Sequence, residues 1–199
     1  MEQESKMSIL IKGFFSRITN IISSPENGWS VIKSENPNKT SLFVYTFIMS
    51  LIPFLSLYIK YAIIGDVGYP EGNPIEGLTL GGYSFFSSII LVYILAWFLD
   101  FRAPAFEAEK NFTRSLQLVV YSFTPYWLAG VIYIFGIQLT SVIHLISLYS
   151  IYMIYLGLPK LKDAKSTKTV GYIINIAIAM FALRFLLAYL SQYIRLYID

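Results

Sequence analysis

Apolar residues run almost unbroken over 41–64, 83–99, 116–136, 141–159 and 170–190, and polar residues collect in the gaps between these stretches. Each stretch, about 17–24 residues long, is enough for a helix to cross roughly 30 Å of hydrocarbon. Backbone polar groups in lipid must bond within their own segment, so the expected spanning element is a helix. The predicted fold is all-α: a cytoplasmic arm over residues 1–40, then a five-helix transmembrane bundle over 41–199.

The arm has a helical pattern of its own. Met7, Leu10, Ile11, Phe14, Phe15, Ile18, Ile21 and Ile22 form an apolar stripe at helical spacing, with Lys12, Ser16 and Asn20 on the polar side. Ser24-Pro25-Glu26 reads as a cap followed by proline at the first helical position, leading a short helix through Trp29 and Ile32. Two placements are open for the arm. It lies in the headgroup region, with Lys12, Arg17 and Trp29 at the membrane surface, or its stripe packs against the end of the bundle.

Punctuation between the stretches agrees with the spans. Residues 65–82 hold six glycines and two prolines and read as an irregular loop. Gly136 is expected to end the third span, Thr140 or Ser141 to cap the fourth, and Gly157 with Pro159 to close it. Pro53 and Pro125 each remove a helical hydrogen bond, to the carbonyls of Met49 and Tyr121, and predict kinks.

Composition supports a membrane protein: 56% hydrophobic residues, 14% charged, mean hydropathy +0.59. The formal charge is only +3, but its placement is informative. Lys6, Lys12, Arg17, Lys33 and Lys39 precede the first span; Arg102, Lys110 and Arg114 lie between the second and third; Lys160, Lys162, Lys165 and Lys168 lie between the fourth and fifth. Twelve of the fifteen basic residues thus fall on one side, which the positive-inside rule makes cytoplasmic. The N-terminus is expected inside and the C-terminus outside. The N-terminal residues show no uninterrupted apolar core or cleavage site of a signal peptide.

Ionisable groups within apolar stretches are costly, so Lys60, His144 and Arg184 are the candidate site residues. All three fall toward the outer ends of their spans. Thr140, His144 and Ser147 share one helical face, and Ala177, Arg184, Ala188 and Ser191 another. Two readings follow: a basic pocket for a lipid phosphate or other anion, or Lys60 and Arg184 snorkelling to the headgroups with His144 bonded locally. Gly171, Asn175, Ala179 and Ala182 form a small-residue face that suggests a central position for the fifth span. In the charged gap after the second span, Asp100 is expected to pair with Arg102, and Glu107 with Lys110 or Arg114. The chain has one His and no Cys, and GxSxG, HExxH and Walker-type motifs are absent. No catalytic residue, metal site or cofactor is expected.

Several segments resemble a known family. RITNIISSPENGWSVIKSE (17–35), LGGYSF (80–85), YSFTPYWLAG (121–130) and YSIYMIYLGLPKL (149–161) are similar, in content and order, to bacterial proteins with the YIP (Ypt/Rab-interacting protein) domain. The resemblance implies five spans behind a Pro-then-Trp entry segment and residence in a bacterial cytoplasmic membrane. Eukaryotic members imply trafficking and small-GTPase partners, but the chain lacks their long N-terminal region with its Tyr-Asp-Leu-x-Gly-Pro type motif, so that role does not carry over. The expected function is a non-enzymatic membrane scaffold, with a small transporter or channel as the competing class. Membrane lipids, a second copy or another membrane protein are the expected partners, and nucleic acid is not.

Reporter fusions at Asp163 and Asn73 should report opposite sides of the membrane, Asn73 external. Both on one side would end the five-span topology.

Overall fold

The structure, a computed structural model, describes residues 13, 16–34, 38–65, 70–136 and 139–196, without the side chains of residues 140, 144 and 194–196. Among the described residues every regular element is helical. Five segments are long and apolar enough to cross a membrane: Lys39–Ile64, Pro74–Phe106, Phe112–Phe135, Ser141–Leu161 and Ser166–Tyr193, here spans one to five. Helices α1 (16–23) and α2 (Pro25–Ser34) precede them. Span one is α3 (Lys39–Tyr58) continued by a π-helical turn, Ile59–Ile64. Span two is α4 (Pro74–Arg102) with a 3-10 turn, Ala103–Phe106. Span three is α5 (Phe112–Ser122), α6 (Thr124–Ala129) and a 3-10 segment, Gly130–Phe135. Spans four and five are α7 (Thr140–Leu161) and α8 (Ser166–Leu196).

The number of spans agrees with the apolar pattern, but two boundaries differ. Span two starts at Pro74, not at 83. The Asn73 side chain accepts from the amides of Ile75 and Glu76 at 3.0 and 3.3 Å, and Pro74 occupies the first turn, where an N–H would have no partner. The glycines that suggested a loop instead let the helix lie close: Gly77 sits against Ala62 and Gly81 against Phe54. Span four likewise runs through Gly157 and Pro159 to Leu161. It begins at Thr140, so the capping position falls to Leu139, whose side chain has no polar atom, rather than to Thr140 or Ser141.

The prolines behave differently from each other. Helix α5 ends before Pro125, with a turn at Phe123, as the missing bond to Tyr121 requires. The Thr124 hydroxyl there hydrogen-bonds the Tyr45 hydroxyl at 2.9 Å, tying the break to span one. Helix α3 runs through Pro53 without interruption. Its ring is buried against Gly130, where an added Cβ would come within 2.8 Å of the Pro53 Cβ. With no hydrophobic drive between helices in lipid, such small-residue contacts let spans one and three approach closely.

Span three is the centre of the bundle, with 61% of its apolar window buried against 17% for span five. This overturns the central position expected for span five. The reason lies in side-chain polarity: span three carries Ser115, Gln117, Ser122 and Thr124, all fully buried, and these are the groups least suited to lipid. Helix α8 leans on α4, α7 and the Ala103–Phe106 turn, and exposes Val170, Ile174, Ile178 and Phe185. Asn175 on the supposed packing face accepts from Arg102 Nε at 3.0 Å, and Gly171 lies against Phe106.

At the basic end, spans two, three and four meet around a wholly buried ammonium. Lys162 Nζ donates to Asp100 Oδ1 at 2.9 Å, Ser115 Oγ at 2.7 Å and the Asn111 carbonyl at 3.1 Å. Burial pulls the Lys162 ammonium below the usual lysine range, and Asp100 opposes that shift. Asp100 therefore pairs with Lys162 rather than Arg102. Glu107 pairs with Lys165, which holds its carboxyl below the usual range, rather than with Lys110 or Arg114. Arg114 donates to Gln117 Oε1 at 2.9 Å.

The arm's described part seats on this same end. Trp29 is fully buried, so it is not the membrane-surface residue the sequence suggested. It fills the space Gly157 leaves open, where an added Cβ would come 2.8 Å from the indole and run into Leu118. Gln117 Nε2 donates to the Ile32 carbonyl at 3.0 Å. Lys160 Nζ donates to the Glu26 carbonyl and Ser30 Oγ at 2.6 and 2.7 Å, and Lys33 pairs with Asp163 at 3.1 Å. Ile21 is buried and Ile18 packs against the core. Met7 to Lys12, Phe14 and Phe15 lie outside the described residues.

Lys162→Met strands the Asp100 carboxylate and should lower stability by about 3–5 kcal/mol. Adding Asp100→Leu should recover a large part of that loss, because both charges are then gone. Thermal unfolding in detergent checks this; an unchanged midpoint in Lys162→Met would refute the lock.

Candidate functional site

The far end, away from the buried ammonium, is built less tightly. A cavity of about 790 Å³ lies there, with walls from α4, α7, α8, the second half of span three and the end of span one. One face of α4 contributes Leu80, Ser84, Ser87, Ser88 and Leu91, positions that recur every three or four residues and so point the same way. Helix α8 does the same with Phe181, Arg184, Phe185, Ala188 and Ser191. Tyr126 and Tyr133 of span three close the inner wall, and Leu145, Ser147 and Leu148 of α7 the remaining side.

The space exists because α8 packs on α4 and α7 while span three packs on α3 and α7. After the break at Phe123, the second half of span three follows span one, drawn in by the Gly130–Pro53 contact. A gap is left between that half and α8. Tyr83 of α4 hydrogen-bonds the Leu187 carbonyl of α8 at its wall.

Arg184 reaches into this gap. Its guanidinium carbon stands 4.4 Å from the centroid of the Tyr126 ring, within cation–π range. Tyr133 lines the same wall beside it. Among the described residues no carboxylate forms an ion pair with Arg184. Arg184 lies eighteen residues along α8 from Ser166, about 27 Å at 1.5 Å per residue. Its side chain turns toward the bundle, over the Tyr126 ring.

Of the other two candidates, Lys60 does not join it. Lys60 Nζ donates to the Gly65 carbonyl at 2.7 Å, closing the end of the π-helical turn, and does not line the cavity. His144 belongs to α7, with its side chain outside the described residues, as is Asp66. Ser147, which shares its expected face, is buried and lines the cavity. On the arm, Lys12 is outside the described residues, and Arg17 lines a small cleft with Asn20 and Gly28 between α1 and α2.

Sequence reasoning missed Tyr126, Tyr83 and the serine row of α4. The serine row had a visible signal: Ser84, Ser87 and Ser88 lie on one face of an otherwise apolar span. Tyr126 had none, because aromatic residues are 17% of the chain and are spread through every span.

The arrangement offers one permanent cation, several hydroxyls and extensive apolar wall. Guanidinium and hydroxyl groups donate hydrogen bonds to an anion. Among the described residues no three His, Asp or Glu groups gather as a metal site.

No curated protein and no solved structure matches the chain at a significant level. A family model does: the Yip1 domain matches residues 19–188, from the helix before the Trp29 seat to the cavity wall of α8. A match of that extent takes in four spans and most of the fifth, and the chain belongs to the Yip1 domain family.

Proposed function

We propose that this protein is a non-enzymatic organiser of the bilayer, whose bundle holds an amphiphile taken sideways from the membrane. The observation that carries the reading is the way the cavity opens. Its rim includes Phe185 and Leu145, 77% and 66% exposed on α8 and α7, so the entrance between these helices meets the surrounding hydrocarbon. A ligand entering there comes from the acyl-chain region. The volume of about 790 Å³ is within the range of small-molecule sites, about 300–1,000 Å³.

Binding is favoured over catalysis by the polar groups present. Tyrosine and serine hydroxyls and a guanidinium hold a ligand, but none is a base near neutral pH. The charge distribution supports residence in a bacterial cytoplasmic membrane with the basic end inside. The seated α2 and the exposed flank of α8 are surfaces through which a second copy or another membrane protein would be gathered.

A transporter reading draws on the broken third span. The basic end argues against it, because Lys162, Asp100 and Ser115 together with Trp29 fill the bundle there. Purified from membranes in mild detergent, the protein should carry lipid through native mass spectrometry, and its proteoliposomes should pass no solute. Lipid-free protein with flux that Arg184→Ala abolishes would replace this reading with transport.

A further inference from the structure

We infer that the ligand of the far-end cavity is an anionic phospholipid, its phosphate on Arg184 and an acyl chain between α7 and α8. The inference rests on the amphiphile reading above and adds the headgroup class and its contact. A guanidinium in an apolar span is costly unless an anion, water or a π face meets it. Tyr126 supplies the π face. A cation held over a ring keeps its in-plane N–H groups, which match the oxygens of a phosphate in pairs. No described carboxylate takes them.

The hydroxyls are placed to assist. Ser84 and Ser87 of α4 and Ser191 of α8 line the same cavity as Arg184; the Ser87 and Ser191 hydroxyls donate to the Ser84 and Ala188 carbonyls at 3.1 and 2.7 Å, and a bound phosphate would draw them round from those carbonyls. Below them the wall turns apolar, with Leu91, Leu148 and Phe181. Apolar wall deeper than the cation is what a phospholipid held by its headgroup needs for its tail.

Free phosphate shares the headgroup chemistry but not the tail, and the apolar walls would leave it poorly solvated. Depth also favours a lipid. Arg184 lies six residues before Leu190, where the apolar run ends, about 9 Å along the helix. An arginine can span much of that distance from a headgroup drawn slightly inward. The lipid comes from the leaflet opposite the basic end.

The test uses the full chain in mild detergent, with native mass spectrometry during titration by phosphatidylglycerol, phosphatidylcholine or inorganic phosphate. Phosphatidylglycerol should bind at concentrations about tenfold below phosphatidylcholine, with no adduct from phosphate. Arg184→Gln should bring the two lipids to parity, and Arg184→Lys should restore part of the preference. Ser191→Phe, which fills the cavity but keeps the guanidinium, should weaken both lipids together. Equal binding of the two lipids by the unaltered chain overturns the headgroup assignment and leaves the amphiphile reading standing. A chain that retains no lipid overturns that reading itself. Binding of phosphate without lipid preference overturns the lipid source, and unchanged binding in Ser191→Phe overturns the location.

Discussion

The ammonium of Lys162 holds the bundle in register. A lysine removed from water needs all its donors satisfied, and here Asp100, Ser115 and the Asn111 carbonyl meet that need from the end of span two and the start of span three. Lys162 itself follows span four directly. Three spans that would otherwise slide past one another in lipid therefore share one fixed point. Trp29 and α2 close over the same end, so water-driven burial and buried polar bonding act together there.

Away from that point a different physics governs. Inside lipid, helices gain little by hiding apolar surface from one another, and close packing of small residues decides who touches whom. Gly77, Gly81 and Gly130 bring spans one, two and three together. Span five has few such contacts and stays at the edge, held to α4 by Arg102 with Asn175, Tyr172 with the Leu99 carbonyl, and Tyr83 with the Leu187 carbonyl. The cavity is the space between the part that packs closely and the part that does not.

Much of this was legible from residue order. The five spans follow from the length of the apolar runs, and the break near Pro125 from a missing amide. Arg184 stood out because a permanent charge in an apolar run is rare. Its partner Tyr126 did not, since stacking partners are set by helix rotation, which an almost wholly apolar sequence leaves open. Lys162 read as one more basic loop residue, because nothing local distinguishes a lysine that turns inward from one that faces water. Trp29 was recognisable as important but not as buried: a stripe suited to a lipid surface is equally suited to a protein one. Glycines at 77, 81 and 157 misplaced helix ends because the same residue breaks a helix in water and permits contact in a bundle.

Spans one to four, with the Lys162 junction and the buried third span, all precede residues 166–196 in the chain. Among the described inter-helix hydrogen bonds, those of the last helix go to α4 alone. Its seam with α7 is apolar at Leu145, Leu148 and Phe181. Parting that seam exchanges protein–protein dispersion for protein–lipid dispersion, a nearly even trade in hydrocarbon. The molecule thus has a closely packed body and one flank whose described inter-helix hydrogen bonds all lead to a single neighbour, α4.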